Sequence, residues 1–293
     1  MNIKYQDSGF NNVNNESGTL FICATPIGNL GDVSLRLLET LKLVDIILAE
    51  DTRTIRKLLS RYNISKSSGN IISYQDYSSE KKVEHIYNKL IEGKNIALVS
   101  ESGVPAIQDP GYKIINSFIN KNIHMTVIPG PNAALSALVL SGLPTDNFLF
   151  VGFLPKTSSK RSSKISELAF FPYTLIFYES PLRIGNLIQE LLEKLGDRKA
   201  CLVREITKIY EESIAGNLSE ISNKLKVKKI KGEIVLVVEG YKKELIKDYT
   251  ENDIKKEFAK LISQNIPKKA ALKIIISRYD IDRQTLYNIS TKI

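Results

Sequence analysis

The stretch ATPIGNLGDVSLR, residues 24–36, stands between an apolar run at 19–24 and a helical pattern that begins at Ser34. An apolar run, a Pro/Gly loop and a helix in that order read as a strand feeding a helix through a ligand-type turn. The loop has neither the G-x-G-x-x-G order of a dinucleotide site nor the Gly-Lys-Ser/Thr ending that grips a phosphate. Proline fixes φ and glycine admits close backbone approach, so such a turn predicts a rigid, narrow wall with exposed amides.

The same alternation continues outward. DIILAE precedes a helix at 54–62, NIISY one at 80–91, NIALVS one at 111–119, and HMTVIP one at 133–140. Five strand candidates, each followed by a helix, predict a doubly wound α/β domain over 18–143. Their unbroken apolar runs suit strands covered on both faces. From FLFVGF (148–153) the pattern changes: TLIFY (174–178) leads to a helix near 183–195, and ACLVRE leads to EESIAG and GEIVLVVEG. Strands in succession without a long helix between them predict a mixed sheet in a second α/β domain over 144–241. The last segment, 242–293, reads as three short helices in a helix-turn-helix-like module, with Pro267 at the first position of the middle one and Asp280 or Asp282 capping the last. Residues 1–17, rich in Asn and without a basic or apolar leader pattern, read as a disordered tail.

Composition narrows the chemistry. The chain has 293 residues, 43% hydrophobic and 25% charged, and no run approaches the roughly 18 apolar residues of a membrane span. Cys23 and Cys201 read as reduced core thiols, and with His85 and His124 as the only histidines no zinc-ligand spacing exists. The expectation is chemistry without a bound metal. Net charge is +9, and residues 1–150 balance 14 basic against 14 acidic side chains, so the excess lies wholly in 151–293. That half suits a polyanion, or is solubilising surface.

In an open α/β sheet, ligands sit beyond the carboxyl ends of the strands. The loops TPIGNLGD, EDTR, SESGVPAIQDPG and PGPNAAL converge there if the strand assignments hold. With FYESPLRI and KGEIVLVVEG, in that order, these segments resemble the tetrapyrrole-methylase-like methyltransferases. Within them they are similar to the ribosomal RNA small-subunit methyltransferase I branch. The resemblance covers roughly residues 18–241, and the terminal helices are similar to that branch's small last domain.

The resemblance implies two α/β domains with S-adenosylmethionine in the cleft between them, in a cytoplasmic homodimer that does not meet a membrane. It implies methyl transfer to a cytidine ribose 2′-hydroxyl of small-subunit ribosomal RNA, free or in the assembled subunit. The cofactor residues it implies are Pro26, Ile27 and Gly28; Glu101, Ser102, Gly103 and Val104; Pro129, Gly130, Asn132 and Ala133; and Tyr178. Glu101 would accept hydrogen bonds from the cofactor ribose, although the family usually has Asp-Ala-Gly-Thr-Pro where Glu101-Ser102-Gly103-Val104-Pro105 stands. Asn132 and Leu182 replace a usual Ser and His, and Tyr74-Gln75-Asp76 replaces Tyr-His-Glu.

A sulfonium methyl is already activated, so catalysis needs alignment and a proton acceptor for the hydroxyl. Glu50, Asp51 and Glu179 are the candidate acceptors, with Arg53, Arg183 and Arg204 to hold phosphates. Lys208 and the loop KTSSKRSSK (156–164), through Lys156, Lys160, Arg161 and Lys164, would add RNA contacts at the cleft mouth. Two other readings stand beside this one: a small-molecule tetrapyrrole methyltransferase, and a non-enzymatic RNA-binding assembly factor. The terminal helices and the EDTR segment favour RNA over the first; cofactor binding separates the second.

Overall fold

The structure, a computed structural model, describes residues 17–227, 230–242, 249–263, 267–279 and 281–290. Residues 1–16 of the expected tail therefore lie outside the described residues. The chain divides into two compact units, Met1–Gly240 and Tyr241–Ile293.

The first sheet comprises β1 (Leu20–Cys23), β2 (Ile46–Ala49), β3 (Ile71–Ser73), β4 (Ile96–Val99) and β5 (Met125–Ile128). Every pairing is parallel, in the order β3-β2-β4-β1-β5. The two-residue period of a strand divides each apolar run between two cores. Phe21, Cys23, Ile47, Ala49, Ala97 and Val99 fill one core; Leu20, Ile46, Leu48, Ile96 and Leu98 fill the other. Both faces are thus covered, which is why the runs are apolar without alternation. The helices of this half are α1 (Leu35–Leu43), α2 (Thr52–Arg61), α3 (Glu80–Ile91) and α4 (Tyr112–Ile119), which follow the strands of this sheet, and α5 (Ala133–Ser141), which leaves it. Ser34, Asp51, Ser79 and Asn132 start four of them by accepting from backbone N–H groups of the first turn.

The second sheet is mixed, as its strand-rich sequence predicts. It contains β6 (Phe148–Phe153), β7 (Thr174–Glu179), β8 (Lys199–Arg204), β9 (Glu212–Asn217) and β10 (Ile234–Val238), in the order β6-β7-β10-β8-β9. Only β6 and β7 run parallel; the other pairs are antiparallel. One face packs Leu175, Phe177, Leu202 and Leu236 under α7 (Ile184–Leu195) and its neighbours. The opposite face carries Ile176, Cys201, Val203, Val235 and Val237, covered by Ala134, Ala137 and Leu138 of α5 and by Ile27. Helix α5 follows the first sheet in sequence but packs on the second. Both cysteines are buried and outside any disulfide, and burial pushes their thiols up.

Two segments differ from the sequence reading. The basic segment 156–164, expected as a loop, is mostly helix: α6 spans Ser158–Glu167. A helix also separates β9 from β10, where none was expected: α8, Leu218–Val227. The terminal unit contains the three expected helices, α9 (Glu251–Ser263), α10 (Lys268–Arg278) and α11 (Arg283–Ser290), around Ile254, Phe258, Ala271, Ile275 and Leu286. Pro267 stands at the cap of α10, one position before the expected one. Asp282 Oδ1 caps α11, accepting from the N–H groups of Gln284 and Thr285; Asp280 lies outside the described residues. Among the described residues no helix is long and apolar enough to cross a membrane.

Candidate functional site

The loops that leave the first sheet are tied to one another. Thr25 N–H donates to Gly103 O at 2.9 Å, and Gly103 N–H donates back to Thr25 O at 3.1 Å. Thr25 and Ser100 hydroxyls add bonds to Ser100 O and Gly103 O. Gly130 lies against Ala24, where a Cβ would come within 3.0 Å of the Ala24 Cβ. Asp76 reaches the third loop, its Oδ1 accepting from Gly111 N–H at 2.9 Å. The loops after β1, β3, β4 and β5 therefore form one rim at the carboxyl edge of the sheet.

A cavity of about 370 Å³ opens between this rim and the second sheet. The first half contributes Ile27, Ser102, Gly103, Val104, Asp109, Asn132 and Ala133; the second contributes Phe153, Tyr178, Glu179, Ile206 and Val235. Phe153 and Phe150 stand edge-on to Tyr178, with ring centroids 5.6 and 5.0 Å away. The result is an aromatic and aliphatic slot with a few polar groups, the usual composition of a small-molecule site. Six of the expected cofactor residues and Tyr178 meet here. Pro26, Gly28 and Glu101 line an adjoining cavity instead, and Pro129 and Gly130 line neither.

The expected catalytic and RNA residues separate clearly. Asp51 caps α2 and pairs with Arg53 at 2.6 Å; that hydrogen bonding holds its carboxyl down at about 2, so it is a poor proton acceptor. Arg53 itself is 85% exposed. Glu50 lines neither cavity, and burial, then Glu101, Asp51 and Asp76, push its carboxyl up. Glu179 lines the first cavity, but its Oε1 accepts from Ser180 N–H at 2.7 Å and pairs with Arg183 at 2.5 Å. Arg161 grips Glu190 with two nitrogens, Arg204 binds Glu212 at 2.7 Å, and Lys164 pairs with Glu167. Lys156 and Lys160 are exposed. Lys208 bridges Glu205 at 2.9 Å and Glu233 at 3.1 Å. Arg161, Arg183, Arg204 and Lys164 thus neutralise carboxylates of this chain, which leaves Lys156 and Lys160 as the exposed cations of the 156–164 segment. Among the described residues no group of His, Cys, Asp or Glu is arranged to hold a metal ion.

Asp109 was not singled out by the sequence. It lies in the third loop, whose Ala106 and Gln108 adopt left-handed φ values of 69° and 64°, and it faces the first cavity. Burial pushes its carboxyl up to about 6, with Glu50 and Glu101 adding repulsion. Its folded value is raised, so stability falls as pH climbs from the unfolded value near 4 to about 6, then levels. Asp109→Asn should therefore stabilise the ligand-free protein at pH 7.5 by on the order of 1 kcal/mol after solvent screening, and by much less at pH 4. Thermal melts at both pH values check this; an equal or opposite shift at the two rejects the buried-charge account.

The profile of the tetrapyrrole (corrin/porphyrin) methylases matches residues 19–222. The chain is 45% identical over 225 residues to a protein of Halalkalibacterium halodurans named ribosomal RNA small subunit methyltransferase I, covering 77% of each. It is 37% identical over 272 residues to the protein of that name from Streptococcus pyogenes, covering 92% of this chain and 94% of the relative. A uroporphyrin-III C-methyl transferase from Thermus thermophilus, solved with S-adenyl homocysteine, shares the fold with a TM-score of 0.50 at 18% identity, over 75% of this chain and 96% of that one.

Proposed function

The chain belongs to the tetrapyrrole (corrin/porphyrin) methylases, and on that premise we propose that it methylates small-subunit ribosomal RNA with S-adenosylmethionine, at a cytidine ribose 2′-hydroxyl. The observation that carries this reading is the slot between the two sheets, walled by the rim loops on one side and by Tyr178 and Val235 on the other. It fits the cofactor: an apolar wall for a flat ring, with backbone and carboxylate groups for the polar parts. When bound, the cofactor supplies an activated methyl group. Ile27, Val104, Ile206 and Phe153 exclude water from the slot; Ser102, Asn132 and Asp109 offer polar contacts. Arg183 keeps Glu179 in place, and the raised basicity of Asp109 suits a group that takes a proton near neutral pH. RNA as the substrate is supported by the names of both relatives and by the excess charge of residues 151–293. A homodimer belongs to the same reading.

Calorimetry with S-adenosylmethionine should give a binding heat, and the protein should transfer methyl to small subunits from cells lacking this chain, at a cytidine ribose on mass mapping. Light scattering should return twice the 32.9 kDa chain mass. Changing Lys156 and Lys160 to Gln should lower the slope of log affinity against log salt by roughly 1.5, with cofactor binding unchanged. No cofactor heat would leave the assembly-factor reading; an unchanged salt slope would assign these lysines to solubility.

A further inference from the structure

A second cavity of about 400 Å³ adjoins the cofactor slot and shares Ile27, Ser102 and Glu233 with it. Its other walls include Pro26, Gly28 and Leu30 of the first loop, Glu101 beside the shared Ser102, Lys57 and Leu58 of α2, and Lys208. Lys208 belongs to the turn between β8 and β9. That turn lies directly on the first loop: a Cβ on Gly28, whose φ is 150°, would come within 2.6 Å of the Lys208 Cγ.

The turn is tightly built. Glu205 N–H donates to Glu233 O, and Glu233 N–H donates back to Glu205 Oε1, both at 2.9 Å. Thr207 N–H donates to Glu211 Oε2 at 2.6 Å, Lys208 N–H to Glu205 O at 2.9 Å, and Glu211 N–H to Lys208 O at 3.1 Å. Glu205 and Thr207 hold left-handed φ values of 51° and 69°, which non-glycine residues adopt only under constraint. All this order supports a tip where Ile209 is 95% and Tyr210 73% exposed. A rigid, strained turn that presents two large apolar side chains to water beside a cavity marks a contact surface.

We propose that the second cavity receives the acceptor nucleotide and that Tyr210 stacks on a neighbouring base of the single-stranded RNA. This rests on the RNA reading above. Sequence-specific RNA contacts use unpaired bases stacked on aromatic rings, which a duplex does not offer. The shared wall of Ile27, Ser102 and Glu233 puts the acceptor next to the cofactor, and Lys208, held by Glu205 and Glu233, fixes the turn that carries the tip against that cavity.

The test compares the full chain with Tyr210→Ala and Tyr210→Phe, using unmethylated small subunits and radiolabelled S-adenosylmethionine. Tyr210→Ala should raise KM for the subunit about 5- to 150-fold, the range of one lost stack, with kcat and cofactor affinity unchanged. The salt dependence should keep its slope, because no charge is removed, and Tyr210→Phe should restore KM to within about twofold, since a phenyl ring stacks as well. An unchanged KM in Tyr210→Ala, a Phe variant as weak as Ala, or loss of the dimer mass in Tyr210→Ala each overturns the stacking role. Failure of the wild-type chain to methylate the subunits would instead remove the RNA reading, and this inference with it.

Discussion

Replacing Arg183 by alanine is expected to lower stability by about 3 kcal/mol, the largest effect of any change in the charged residues of the cleft. Its partner Glu179 has a side chain only 1% exposed, and the two meet at 2.5 Å. Removing the cation leaves an almost fully buried carboxylate with the Ser180 N–H as its remaining partner, which costs more than the pair ever contributed. Arg183 is 30% exposed, which puts the loss at the low end of the range for buried pairs. The melting temperature should fall by roughly 6–12 °C. Replacing both residues by leucine should recover most of the loss, because neither charge is then left alone. If Arg183→Ala melts with the wild type and only RNA binding suffers, Arg183 is a phosphate contact and the ion pair is incidental.

Glu101→Ala is expected to weaken S-adenosylmethionine binding by about 1.5–3 kcal/mol, the value of hydrogen bonds to a charged group. Glu101 lines the second cavity beside Ser102, which walls both, so its carboxylate would meet the cofactor ribose at the border with the acceptor nucleotide. The substitution should also let Glu50 and Asp109 ionise at lower pH, since Glu101 helps push both carboxyls up. Calorimetry and a pH titration of Asp109 read the two effects separately. Intact cofactor affinity with a raised KM for RNA would move Glu101 to the acceptor side.

The elements most legible in the sequence are those whose signal is local. The strands of the first sheet announce themselves because burial on both faces removes polar interruptions, as in Ile46–Ala49. Helix starts at Ser34 and Ser79 are readable because a hydroxyl before an apolar-periodic run has one common use. Helix α6 is not readable: SSKRSSKISE buries Ile165 alone, so no stripe exists to detect. Helix α8 buries just Leu218 and Ile221 in a short run between strands. At the site, the convergence of loops follows from strand order and was legible. Pairings between distant residues were not. Arg161 is neutralised by Glu190, 29 positions away, and Asp109 owes its raised value to burial and to Glu50 and Glu101, none of which a linear pattern reports.

The placement of β10 has a consequence for how the chain is made. The first sheet has all its strands once Ile128 is synthesised, since its order draws only on β1 to β5. The second sheet lacks its middle strand until Val238, because β10 pairs with β7 on one side and β8 on the other. Those roughly 100 residues take about 5–20 s of translation. Within that interval β7, once Glu179 is made, and β8, once Arg204 is made, each present an unpaired apolar edge, Leu175–Phe177 and Ala200–Val203, that only the incoming strand can satisfy. A nascent chain halted before Ile234 is therefore a half-built protein with one finished sheet and one open seam, the species most exposed to mispairing with another chain on the same message.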